Sequence, residues 1–105
     1  MDIKLIRKKV QAGDYLVTDH ADDERTKDEL SLDEIEEAIL SGNVIEERLD
    51  DPRGESRLIA GKTSKNQLIH VVIGIRFNFP TIVTVYKPSK ESWIRGKIRK
   101  ETKHG

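Results

Sequence analysis

Two histidines, a tyrosine and three arginines are the residues whose types and spacing point to chemistry in this chain. His70 stands inside Leu68-Ile69-His70-Val71-Val72-Ile73-Gly74-Ile75, a nearly unbroken apolar run that reads as a strand buried on at least one face. A buried imidazole must find hydrogen-bond partners, because leaving it unpaired costs roughly 1–3 kcal/mol. It is therefore either a satisfied structural residue or one wall of a polar site. His20 precedes Glu24 and Asp28 at helical spacing, so the three share one face of a helix. A carboxylate beside an imidazole orients the ring and favours its charged form, which makes a usable acid–base pair. So acidic a stretch also produces such pairs by chance. Arg25, five residues after His20, falls on a different face.

The last two strands permit a register argument. Pairing them about Asn78 sets Val71 opposite Val85 and Ile73 opposite Val83 on one apolar face. The same register sets His70 opposite Tyr86, and Val72 opposite Thr84, on the other. His70 and Tyr86 are then cross-strand neighbours, able either to satisfy each other beneath the helices or to face a site.

Several chemistries find no support. With no cysteine, disulfides, thiolate zinc sites and thiol nucleophiles are excluded. A metal site can be drawn from His20, Glu24 and His70, but no HExxH or comparable spacing backs it. Neither a glycine-rich phosphate loop nor a GxSxG elbow occurs. No metal and no cofactor are expected.

The elements that must position these groups are legible in outline. Ile3, Ile6 and Val10 recur at helical spacing ahead of Gly13, so residues 2–12 read as a short amphipathic helix. Tyr15-Leu16-Val17 reads as an apolar link, and Thr18 or Asp19 as the cap of an acidic helix over about His20 to Asp28. Ser31 and Glu34 form a capping box, Leu30 and Ile35 the flanking hydrophobic staple, and Leu32, Ile35, Ala38 and Ile39 the core stripe of a third helix. Gly42 is expected to close it in a left-handed conformation. Strands follow at Val44–Leu49, Arg57–Lys62, Gln67–Arg76 and Thr81–Tyr86, with a β-turn at Asp51-Pro52-Arg53-Gly54. Pro88 stops the sheet, Trp93 anchors the return, and Ile94 onward is a basic tail with modest helical potential. Helices first and a strand meander second predict an α+β domain, with helices packed on one face of a roughly four-stranded antiparallel sheet. The 105 residues are expected to form a single domain, core about 2–93 and basic tail 94–105.

Net charge is zero, but its distribution is not even. From His20 to Asp51 there are 13 Asp or Glu against Arg25, Lys27 and Arg48; from Lys87 to Gly105 there are 7 Lys or Arg against Glu91 and Glu101. Such halves attract each other or face different partners. No stretch reaches the length of a bilayer span and the N-terminus lacks a signal-peptide core, so the cytoplasm of a microbe is expected and no membrane.

At Thr18-Asp19-His20-Ala21, Leu30-Ser31, Ile35-Glu36-Glu37-Ala38, Gly42-Asn43-Val44-Ile45-Glu46 and Asp50-Asp51-Pro52-Arg53-Gly54 the chain resembles a known family. The likeness continues through Leu58, Gly61, Ile69-His70-Val71-Val72, Thr84-Val85-Tyr86, Pro88 and Trp93. These residues resemble the small prokaryotic family called domain of unknown function 4258, over about Tyr15 to Trp93. The resemblance implies a fold similar to the barnase, colicin and RelE-type ribonucleases. It also implies a metal-independent RNA-cleaving site on the sheet, and membership of toxin–antitoxin modules. His20 and His70 match the family's two histidines. Glu24 and Asp28 stand where many members carry arginines.

Two functions are expected to compete. In the first, a metal-independent endoribonuclease, the RNA 2′-hydroxyl attacks its own phosphate, with His20 and His70 as base and acid. Tyr86 orients one of them or donates a proton. Arg53 or Arg57 stabilises the phosphorane, Arg25 substitutes for the missing helix arginines, and the basic tail attracts phosphate. In the second, the same fold is a non-catalytic module whose acidic Asp22–Glu47 surface pairs with a small antitoxin-like protein.

Overall fold

A computed structural model describes residues 1–88, together with the backbone of two short strands, Trp93–Ile94 and Ile98–Arg99. In chain order the elements are α1 (Ile3–Gln11), β1 (Leu16–Val17), α2 (Asp19–Lys27), α3 (Leu32–Ser41), β2 (Asn43–Arg48), β3 (Ser56–Lys62), β4 (Leu68–Arg76) and β5 (Phe79–Tyr86). The short strands are β6 and β7, paired antiparallel. Of the tail read with helical potential, the described residues Ile94, Ile98 and Arg99 are strand instead; the anchoring role read for Trp93 lies outside the described residues.

The fold is α+β, with one difference from the expected sheet. Five strands run in the order β1-β5-β4-β3-β2, and β1 is parallel to β5, so the sheet is mixed rather than four-stranded and antiparallel. Leu16 pairs with Thr81 and Val17 with Ile82. Two residues are too few to show a strand period, and their partner lies far along the chain, so the link disguised a strand.

Helix ends follow the local chemistry. Thr18 caps α2, its hydroxyl accepting from the Ala21 amide at 3.0 Å while donating to the Val83 carbonyl at 3.1 Å. The same residue thus starts the helix and pins it to β5. The capping box of α3 is complete, Ser31 Oγ accepting from the Glu34 amide at 3.1 Å and Glu34 Oε1 from the Ser31 amide at 3.0 Å. The end of α2 bonds in the Schellman pattern, Leu30 N–H to Arg25 O and Glu29 N–H to Thr26 O, which puts Glu29 at φ 55°.

Gly42 does not fill the left-handed position expected of it: its φ is −83°. Its reason is space, since a Cβ there would lie 2.5 Å from the carbonyl oxygens of both Ala38 and Ala60. Gly61 is tighter still, its would-be Cβ overlapping the Ala38 carbonyl. Two glycines and an alanine therefore let α3 rest on the backbone of β3.

That contact identifies the two faces of the sheet. Gly61 pairs with Ile69, Ile59 with Val71, and Val71 with Val85, so these side chains face α3. With Ile6, Val10, Ile35 and Ile39 they form the core. Ala60, His70 and Tyr86 alternate onto the opposite, far face. The predicted pairs His70–Tyr86, Val71–Val85 and Val72–Thr84 are present, but Ile73 pairs with Ile82, not Val83. A bulge at Val83 makes the shift: Ile82 is buried and Val83 only half-buried.

Candidate functional site

α2 packs along β5 beyond the end of β1, where the β5 edge would otherwise lack a partner strand. Glu24 supplies the partner. Its Oε1 accepts from the Val85 amide at 3.1 Å and from Thr84 Oγ1 at 3.0 Å, and lies 3.2 Å from His20 Nε2. The carboxylate is held by the sheet, and it in turn holds the imidazole. His20 itself is 68 % exposed. An oriented imidazole open to solvent can take or give a proton.

Two positions along β5 from Thr84, on the same face, is Tyr86. Its phenol oxygen lies 3.3 Å from His70 Nδ1, the rings meeting edge to face with centroids 5.3 Å apart. The pair is on the far face, not beneath the helices. His70 is 0 % exposed, so it cannot meet a substrate directly in this conformation, whereas Tyr86 is half-buried and borders a hollow of about 270 Å³. Glu46, Arg48, Ser56, Arg57, Leu58 and Val72 also line that hollow. A second hollow, about 240 Å³, shares Arg48, Ser56 and Val72 with the first and adds Arg53 and Arg76. The two form one groove across the far face.

The arginines nominated from sequence divide. Arg53 faces the groove and is bonded to Asp51, at 3.2 Å from Nε to Oδ1 and from Nη2 to Oδ2. The Arg53 guanidinium holds the Asp51 carboxyl below the usual carboxylate range. Arg57 pairs with Ile73 in the ladder and so alternates onto the helix side; its Nε donates to Glu47 Oε2 at 3.0 Å and it is 6 % exposed. Its Nη1 is buried without a hydrogen-bond partner. Arg25 is committed to structure, Nε donating to Asp22 Oδ1 at 2.8 Å and Nη1 to the Leu30 carbonyl at 3.2 Å. Arg25 lines neither hollow, and Arg57, although it lines the first, has its Nε engaged by Glu47.

Arg48 and Arg76 were missed. Their alternation with Glu46 and with Gly74 was a usable signal, but which face carried the groove was not. Tyr15 belongs elsewhere: it donates to Glu36 Oε2 at 2.5 Å, and burial first, then that bond, pushes its phenol above the ordinary tyrosine range. Among the described residues no group of three or more His, Asp or Glu side chains is placed to hold a metal ion.

Fold and site together define an α+β domain with helices on one sheet face. The other face carries a tyrosine-and-arginine groove, beside a histidine clamped by a carboxylate at the sheet edge. The chain belongs to the family described as Domain of unknown function (DUF4258), which matches residues 17–87, from the end of β1 to just past β5. No curated protein matches the chain, and no solved structure does. Within the described residues no helix is long and apolar enough to cross a membrane.

Proposed function

We propose that this chain is a metal-independent, toxin-like endoribonuclease with a RelE- or barnase-like architecture, and that RNA lies in the groove of the far face. The observation that carries the proposal is the pairing of exposed His20 with a carboxylate anchored on β5, two residues from the Tyr86 phenol. His20, oriented by Glu24, takes the 2′-hydroxyl proton as that oxygen attacks the adjacent phosphorus. The P–O5′ bond breaks, leaving a 2′,3′-cyclic phosphate, and Tyr86 delivers a proton to the departing 5′-oxygen. Protonated His20 then releases its proton to water while Tyr86 takes one up, so both groups return to their starting forms with no net proton change. Arg48, with Arg53 further along, faces the charge that builds on the phosphorane. His70 acts as a positioning residue, fixing the phenol through the 3.3 Å contact.

Removing one general acid or base lowers rates by about 10²–10⁴-fold. Cleavage of single-stranded RNA in EDTA is therefore expected from the native chain, and a loss of that order from His20→Ala and from Tyr86→Phe. Cleavage that survives both substitutions would remove the assignment. Activity abolished by EDTA would indicate a metal-dependent hydrolase. Inertness toward RNA, with a small protein co-purifying through the acidic α2–α3 surface, would favour the binding module of the same fold.

A further inference from the structure

The β4–β5 hairpin carries a residue that the fold does not ask for. Arg76 pairs with Phe79, which leaves a two-residue loop, Phe77-Asn78. Both have positive φ, 54° and 64°, the signature of a type I′ turn. Asn and Gly suit such positions; an aromatic residue in the left-handed region is strained. Asn78 follows the rule and Phe77 breaks it. The ring of Phe77 gains nothing from burial to offset that strain, being 87 % exposed.

The surroundings specify what such a ring is suited to meet. Arg76 is exposed beside it and lines the groove. Phe79 is 38 % exposed, with Lys9 Nζ 5.4 Å from its ring centroid. Aromatic rings interleaved with cations match a single nucleic acid strand, whose bases stack and whose phosphates need positive charge. The groove connects this tip to Tyr86 through Arg76, Arg53 and Arg48. Phe79 and Tyr86 pair with Arg76 and His70, six residues apart on β4, so they are separated by roughly 20 Å, a span of several nucleotides.

We infer that Phe77 is a base-stacking residue at the end of the RNA track, gripping a nucleotide several positions away from the scissile phosphate. The inference rests on the proposed nuclease site and adds to it a subsite that only longer strands reach. Phe77 touches no reacting atom; its effect is on binding.

The test uses 2′-O-methyl oligonucleotides, which lack the attacking hydroxyl and so report binding alone, as a dinucleotide and an octanucleotide. Phe77→Asn removes the ring and relaxes the turn; Phe77→Trp keeps a stacking surface. Phe77→Asn is expected to weaken octanucleotide binding about five- to a hundred-fold, the effect of one base–aromatic stack, and to leave the dinucleotide unchanged. Its dependence on salt should match the native chain, because no charge is lost. Its melting temperature should equal or exceed the native value, so a folding defect cannot imitate the result. Phe77→Trp should bind the octanucleotide at least as well as the native chain. Octanucleotide affinity unaltered in Phe77→Asn but reduced in Arg48→Ala would overturn the stacking subsite while the groove stands. A protein partner lost from Phe77→Asn, with oligonucleotide binding intact, would overturn it in favour of protein docking. A native chain that binds neither oligonucleotide would bring down the subsite and the nuclease proposal together.

Discussion

The carboxylate of Glu24 hydrogen-bonds the backbone of Val85, 61 residues along the chain, at 3.1 Å. A side chain from α2 thus takes the place of the strand that β1 is too short to provide. The same oxygen receives the Thr84 hydroxyl and faces His20, so one group closes the sheet edge and orients the candidate base.

Glu24→Ala should leave the Val85 amide and the Thr84 hydroxyl without their acceptor in a part-buried place, lowering stability by about 2 kcal/mol. Glu24→Gln keeps an acceptor oxygen and should lose much less, while weakening the hold on His20. Denaturant titration of both variants checks the order; equal stability of the native chain and Glu24→Ala would show that the edge needs no such cap.

Glu29 sits at φ 55° where α2 ends in a Schellman turn, the position that glycine occupies with least strain. The equivalent place after α1 is filled by Gly13, at φ 81°. Glu29→Gly is predicted to stabilise the protein by about 0.5–1 kcal/mol, the relief of left-handed strain exceeding the extra freedom of the unfolded chain. Thermal melts of Glu29→Gly and Glu29→Ala separate backbone relief from loss of the carboxylate, because only the glycine should raise the midpoint.

Gly61→Ala should cost about 3 kcal/mol, since its methyl group overlaps the Ala38 carbonyl and α3 must lift from β3. Gly54→Ala makes a useful comparison. No atom lies within 4 Å of its would-be Cβ, so only its φ of 108° opposes the change. A Gly61→Ala protein as stable as the native one would mean that α3 does not rest on β3 as described.

The capping box sets a pH dependence of known sign. The Ser31 amide bond, the largest cause, holds the Glu34 carboxyl below its ordinary value of 4.5. A folded-state pKa below the unfolded one means stabilisation present above the unfolded value and lost as pH falls through the folded one. The native chain should therefore exceed Glu34→Gln in stability at neutral pH, and the difference should shrink as acid protonates the carboxyl. A gap that stays constant from neutral to strongly acid conditions would contradict the reciprocal bond. Ser31→Ala, which removes the other half of the box, should cost about 1 kcal/mol.

Sequence alone determined what local chemistry governs. The capping box at Ser31 and Glu34, a cap at Thr18 or Asp19, the Asp51–Gly54 turn and the pairing of His70 with Tyr86 each depend on residues close in the chain or on a period-two pattern with one buried side. The bulge at Val83 escaped because Ile82 and Val83 are equally apolar, so hydrophobicity could not say which turned inward. His20 beside Glu24 was visible as a helical pair, but in so acidic a segment spacing cannot tell an anchored carboxylate from a solvated one.

Tertiary structure decided the remainder. Glu24 became an anchor only when α2 was laid against β5, and Leu16–Val17 became a strand only when a parallel neighbour reached it. Arg57 and Arg48, alike as residues in a list, were sent to opposite sides of the sheet by strand alternation and the β2 bulge between Val44 and Glu46. The physical reason is common to all of these. Hydrogen bonds within a turn or helix end are written in neighbouring residues. The face a charged side chain meets depends on register between strands far apart in sequence, where one residue's slip reverses the outcome.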